Sequence, residues 1–234
     1  MPCYAQVTDT LSGHITFNKT LHCDTTYILD KGVFIDSGYT LTIEPGVIIK
    51  GMPGIGASAS FLVIARGATI KAEGNAASPI IFTSTQDNIT TQDPAYPGLV
   101  NLGSTDIGLW GGLAICGRAE ISSTTGVTDQ IEGIPASNPA GAFGGNDNSD
   151  NSGFLKYVSI RHGGVHIGQG NEIGGLSLCA VGNQTIVEHV ETFAQQDDGI
   201  DIFGGTVNLS NVITVSAGDD GIDTDYGYSG TISN

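Results

Sequence analysis

Cationic side chains are scarce in this chain: Lys and Arg number 8 against 24 Asp and Glu, a formal net charge of −16 over 234 residues. A surface this acidic repels polyanions, which argues against nucleic acid or an anionic membrane surface as a partner and points toward cations. Methionine (2) and tryptophan (1) are rare, and no apolar run approaches the roughly 18 residues of a membrane helix. No membrane span is expected. Cysteine is confined to Cys3, Cys23, Cys116 and Cys179, with no CxxC pair and hence no dithiol redox chemistry. His14, His22 and Cys23 lie close in sequence but supply too few ligands at suitable spacing for zinc. No Gly-rich phosphate loop and no G-x-S-x-G elbow is present.

Glycine, by contrast, is abundant, with 35 residues placed among Gly/Asn/Asp/Ser clusters that separate short β-branched runs. This pattern disfavours helical bundles and βαβ units and reads as all-β. The string DDGID occurs at 197–201 and again at 219–223, an offset of 22 residues that also carries Val187, Val190 and Asp197 onto Leu209, Val212 and Asp219. A period of that size means stacked rungs. Six rows share one grammar: VFIDSGYTLTI (33–43), LVIARGATIKA (62–72), LAICGRAEIS (113–122), LSLCAVGNQTIVEHV (176–190), IDIFGGTVNLSNV (200–212) and IDTDYGYSGTISN (222–234). Each has a short alternating strand, a Gly-containing turn and a second strand. PIIFTST (79–85), FLKYVSI (154–160) and the VEHVETF region read as third strands.

Alternation places Leu113/Ile115, Leu176/Leu178 and Ile200/Ile202 on one inner face, and turns Ala114, Ser177, Asp201 and Asp223 outward. A rung of about 22 residues with three short strands is the size of one coil of a parallel β-helix. The leucine-rich alternative lacks its L-x-x-L-x-L-x-x-N pattern. The crossover rule makes the winding right-handed. The expected architecture is therefore all-β, a single right-handed parallel β-helix. Residues 7–32 do not match the rungs and read as an N-terminal cap, and 33–234 form the helix. Loop insertions are expected at about 85–109 and 122–153, and the C-terminal end reads as truncated, because Asn234 falls within the second strand of its rung. Residues 1–6, MPCYAQ, have small residues at the −3 and −1 positions of a cleavage site and read either as a signal-peptide remnant or as a flexible terminus.

In register, Cys116 stacks on Cys179 at about 4.8 Å, where free thiols fit more easily than a strained disulfide. The same register sets Asp197 beside Asp219, Asp198 beside Asp220 and Asp201 beside Asp223. Two charges at about 4.8 Å repel by ~1 kcal/mol in water and ~3.5 kcal/mol at an effective dielectric of about 20. Turn amides, a shared proton or a bound cation would each offset that repulsion. Three readings stay open: structural turns, a hard-cation site such as Ca²⁺ at Asp197, Asp198, Asp219 and Asp220, or catalytic carboxylates. Asp147 and Asp150, in GGNDNSDNSG (144–153), form a weaker candidate, part of a calcium-loop pattern without its distal Glu. Asp201, Asp223, His166 and Tyr226 are candidate ligand contacts, with Trp110, Tyr96 and Tyr228 as further aromatic surfaces for sugar.

YILDKGVFIDSGYTLTIEPGVIIKG (27–51), GLWGGLAICG (108–117), QIEGIP (130–135), NDNSDNSGFLKYVSIRHGG (146–164) and DDGIDIFGGTVNLSNV (197–212) resemble secreted right-handed β-helix proteins of bacteria that use type IX secretion. The resemblance implies an exported or cell-surface β-helix and no particular activity. A second, local resemblance is to polygalacturonases, inverting glycosidases that pair an N-T-D segment with a D-D pair one rung on. It implies Asp219 as general acid, with Asp198 and Asp220 activating water. The G-H-G histidine and R-x-K pair of that family have no counterpart here. The leading expectation is a structural or adhesive surface module that binds polysaccharide or a surface protein, with Ca²⁺ on the aspartate turns. The alternative is a polysaccharide hydrolase.

Overall fold

The computed structural model describes residues 7–93, 95–168 and 171–234. Residues 1–6, where the signal-peptide reading falls, lie outside the described residues. Sixteen strands join one continuous sheet, and each pairing within it is parallel. The sheet wraps into three faces. The first carries residues 32–35, Phe61–Ile64, Leu113–Cys116, Leu176–Cys179, Ile200–Phe203 and Ile222–Asp225. The second runs from Lys19–Leu21 through Thr40–Ile43 and Thr69–Glu73 to Ile232–Ser233, and the third includes Ile48–Gly51 and Ile80–Ser84. The fold is an all-β parallel β-helix consistent with right-handed winding, and the described residues contain no α-helix.

The corners explain how long strands serve two faces. Gly153–Arg161, Ile186–Phe193 and Asn208–Val215 each continue through one residue in left-handed conformation, Tyr157 (φ 50°), His189 (φ 54°) and Asn211 (φ 53°). A single left-handed residue turns the chain without ending its ladder, at a cost on the order of 1–2 kcal/mol for a side chain with Cβ. Stacking offsets part of that cost, since the Tyr157 and His189 rings lie parallel at 4.4 Å.

Inside the coil, side chains form aliphatic ladders. On the first face Val33, Leu62, Leu113, Leu176 and Ile200 lie in register, beside Ile35, Ile64, Ile115, Leu178 and Ile202, and all are buried. On the second, Leu21, Ile43, Ala72, Leu155, Val187 and Leu209 do the same. Burying each Leu or Ile is worth roughly 1.5–3 kcal/mol, and the alternation read from the sequence is the alternation that fills the core.

Three differences from the sequence reading follow from packing. Residues 7–32 take part in the coil, because Val7–Ile15 pairs in parallel with Thr25–Ile35 across the expected cap boundary. AEIS (119–122) forms no strand: Gly153–Lys156 takes its place beside Ile70–Glu73, so the excursion begins right after the first strand of that coil. Finally, Ala114, Ser177 and Asp201 point out of the coil yet are only 0, 2 and 8% exposed. The excursion folds back as an antiparallel hairpin, Thr128–Gln130 with Ala142–Gly144, and with a second hairpin, His166–Gly168 with Asn171–Glu172, it covers the outer face. Ile131, Ile134, Phe143, Ile167 and Ile173 make a second apolar cluster there with Ala114, Cys116 and Cys179. Both cysteines are free and buried on paired strands, as the spacing suggested, whereas Cys23 is disulfide-bonded.

Candidate functional site

Where the apolar cover ends, the outer face opens into a groove of about 280 Å³, bordered by Asp197, Asp201, Asp223, Asp225, Tyr226 and Ser177, with Gln130 and Glu132 reaching in from the excursion. Three strands supply its floor. Ser177, Asp201 and Asp223 are register partners on Leu176–Cys179, Ile200–Phe203 and Ile222–Asp225. The turn before Ile200 supplies Asp197 and Asp198. It is fixed from below by Gln195, fully buried, whose amide accepts from Gly163 N–H and donates to the Ile160 and Phe193 carbonyls. Gly164 (φ +87°) and Gly218 let neighbouring backbone approach it: a Cβ on either would meet Asp197 N at 2.8 Å or Gln196 O at 2.0 Å.

The stacking read from DDGID is present, but it does not treat the aspartates alike. Asp201 and Asp223 are in register, and the Asp220 backbone N–H donates to Asp198 Oδ1 at 2.9 Å. Carboxylate oxygens converge in two groups, Asp197/Asp198/Asp219 and Asp198/Asp201/Asp223, each within 4.8 Å. These aspartate groups can hold a metal ion. The Asp220 carboxylate belongs to neither; its exposed turn contributes an amide instead. Asp147 and Asp150 join no such group among the described residues. Asp147 accepts from Ser149 N–H, and buried Asp150 accepts from the Ser152 hydroxyl, so that loop uses its carboxylates to hold its own turn.

Burial raises Asp198 to about 6 against the opposing Asp220 amide, with the charges of Asp197, Asp223 and Asp219 adding to the shift. Asp201, deeper, is pushed up to about 8 by burial first and then by Asp198, Asp223, Asp197 and Asp225. The groove therefore holds one carboxyl, Asp201, that keeps its proton at neutral pH beside other carboxylates, with Asp198 next to it titrating about a unit below neutrality. No lysine or arginine lines it among the described residues.

Of the aromatic candidates, Tyr226 alone lines this groove, its ring edge-on to Phe143 at 6.2 Å and Phe203 at 5.6 Å. Trp110 is fully buried, stacked on Phe82, with its indole N–H donating to the Arg161 carbonyl. Tyr96 and Tyr228 donate their hydroxyls to the Pro79 and Val207 carbonyls. His166 is exposed on its hairpin and does not line the groove. His162 is a core residue, with Nδ1 at 2.6 Å from the Asp106 carbonyl and its pKa lowered by burial. Ser177, Asp225 and Glu132 are groove residues the sequence reading did not select. Asp225 was accessible to it, two residues from Asp223 on one strand face; Glu132 was not, because only the folded excursion brings it near.

A coil of stacked parallel strands with an outer groove defines a parallel β-helix protein. The family model described as a pectate-lyase-like β-helix domain matches residues 13–234, and the chain belongs to that family. No curated protein and no solved structure matches the chain significantly. No helix among the described residues is long and apolar enough to cross a membrane.

Proposed function

We propose that this domain is an exported surface module that holds polysaccharide in the groove beside Tyr226. The observation that carries the reading is the pairing of a firmly seated aromatic ring with a row of carboxylates in one concavity. Sugars present apolar ring faces and hydroxyl edges, which suit an aromatic surface and acceptor-rich walls respectively. Calcium is the cofactor that fits this reading, because the donors are carboxylate oxygens. Export rests on the resemblance to type IX-secreted β-helix proteins, and N-terminal sequencing of the mature protein tests it. Binding to a glycan panel tests the groove. Tyr226→Ala is expected to weaken the best binder by about tenfold, whereas Tyr226→Phe retains most of the affinity. Wild-type protein that binds no glycan, or binds only a surface protein, overturns the reading.

A second reading, polysaccharide hydrolysis, is favoured by one specific observation: raised carboxyls stand next to other carboxylates in the groove. The proton donors it would employ are Asp198 and Asp201, a different assignment from the Asp219 implied by the polygalacturonase resemblance. New reducing ends from polygalacturonate or another polysaccharide, abolished by Asp201→Asn, support it. A complete panel without release removes it.

A further inference from the structure

A second concavity, of about 650 Å³, lies where the first face turns toward the second in the earlier coils, and it shares no lining residue with the groove. Two of the chain's three arginines, Arg66 and Arg118, line it. Because Ile64 pairs with Ile115, both leave successive coils at the same corner. Acidic residues number 24 against 8 basic ones, yet neither guanidinium is ion-paired among the described residues, whereas Lys19, Lys156 and Arg161 are. The carboxylates nearby are turned to other groups: Asp36 to His14 Nδ1 at 2.7 Å, Asp147 to the Ser149 N–H, and buried Asp150 to the Ser152 hydroxyl. Arg66 donates one Nη1–H to the Gly144 carbonyl at 2.9 Å, which anchors it to the excursion. Arg118 lies against Gly67 (φ +86°), where a Cβ would stand 2.3 Å from its Nη2. Glycine leaves the room that seats one guanidinium beside the other's backbone.

We propose that this concavity is a separate ligand site, which takes a small organic acid with one carboxylate and an apolar body. A guanidinium presents its donors in a planar fork that matches a carboxylate, and Arg66 and Arg118 offer two such forks to one space. Tyr39, Ala65, Pro139 and Ala140 supply an apolar wall for the body of the ligand. A mostly apolar lining with a few convergent polar groups, at this volume, is the make-up of a small-molecule site. Asp36 and Asp147 border the same space, so a second negative charge on the ligand would be repelled, which disfavours a phosphate dianion. A sugar ring would strip water from its hydroxyls against the apolar wall, which disfavours a sugar acid. The net charge of −16 repels anions from the rest of the surface, so their uptake here depends on the two guanidinia. The site does not rest on the polysaccharide reading of the groove.

The test is calorimetry of the whole chain with benzoate, phenylacetate and isovalerate, set against phenylacetamide, phenyl phosphate and galacturonate. At least one of the three acids is expected to bind saturably, and phenylacetamide, which has the same body without the charge, at least about tenfold more weakly than phenylacetate. Amide resonances of Tyr39 and Ala140 should move during the titration, and those of Asp201 and Asp223 should stay in place. Arg118 is exposed, so Arg118→Gln removes one fork without touching the core, and it should weaken the best acid by about tenfold. Tyr226→Ala, in the groove, should leave that affinity within about twofold. Saturable binding by none of the three acids overturns the site. So does equal binding of the amide, or loss in Tyr226→Ala with retention in Arg118→Gln. Tighter binding of phenyl phosphate or of galacturonate than of every apolar acid overturns the assigned ligand class.

Discussion

One outer row of the coil changes character along its length. Phe34, Val63 and Ala114 occupy it in the earlier coils, and Ser177, Asp201 and Asp223 continue it in the later ones, each in register with the next. The inner row beside it stays aliphatic from Val33 through Leu62, Leu113 and Leu176 to Ile200. Backbone pairing is indifferent to what the outward positions carry, so the same register that builds the core is free to build a site on the opposite face. The earlier half is closed by apolar cover from the excursions, and the later half exchanges that cover for charge. Stability and chemistry thus reside on alternate residues of the same strands.

The comparison breaks most sharply if the inner row proves dispensable. Leu176→Ala removes a fully buried member of that ladder and is expected to cost about 2–5 kcal/mol in urea denaturation. A loss below about 1 kcal/mol would mean that the later coils are not held by their core. The next effect has the opposite sign. Asp201 moves from an ordinary value of 3.8 to about 8 on folding, so between those pH values the folded chain keeps a proton that the unfolded chain has released. Stability in chelator is therefore greatest at and below pH ~4 and declines as pH rises toward ~8. Asp201→Asn cannot ionise. It should be the more stable protein at pH ~8, by on the order of a few kcal/mol, with a flatter pH profile. A remaining slope between ~4 and ~6 belongs to Asp198, raised to about 6. A variant less stable than the parent at pH ~8 would show that Asp201 is held by favourable contacts instead of strained by burial.

The inner row was legible in the sequence because period-two alternation and the offset of 22 residues are local signals that survive without coordinates. The pairing of Asp201 with Asp223 followed from the same count. The unequal roles of the aspartates did not, because they depend on depth. Asp201 lines one groove with Phe143, Phe203 and the excursion residues Gln130, Ile131 and Glu132, and residues 122–153 carry no repeat from which their fold could be read. The outward assignment of Ala114, Ser177 and Asp201 was right about direction, and their burial, on which alternation says nothing, follows for that reason. His162 and Trp110 illustrate the converse, since residue types associated with sites are spent here on the interior.

The smallest effect gives the finest discrimination. Ser177 sits at the boundary of the two regimes, in register with Ala114 on one side and Asp201 on the other. Its buried hydroxyl has no partner, so Ser177→Ala removes an unmet desolvation cost and substitutes a side chain that the preceding coil already accommodates at this position. In chelator the variant should equal the parent or exceed it by up to about 1 kcal/mol. If the hydroxyl completes the cation shell, the order reverses with Ca²⁺, and the thermal midpoint gained on loading becomes smaller in the variant than in the parent. Unchanged gains in both proteins would assign Ser177 to the apolar half of the row and place the boundary between the two regimes at Asp201.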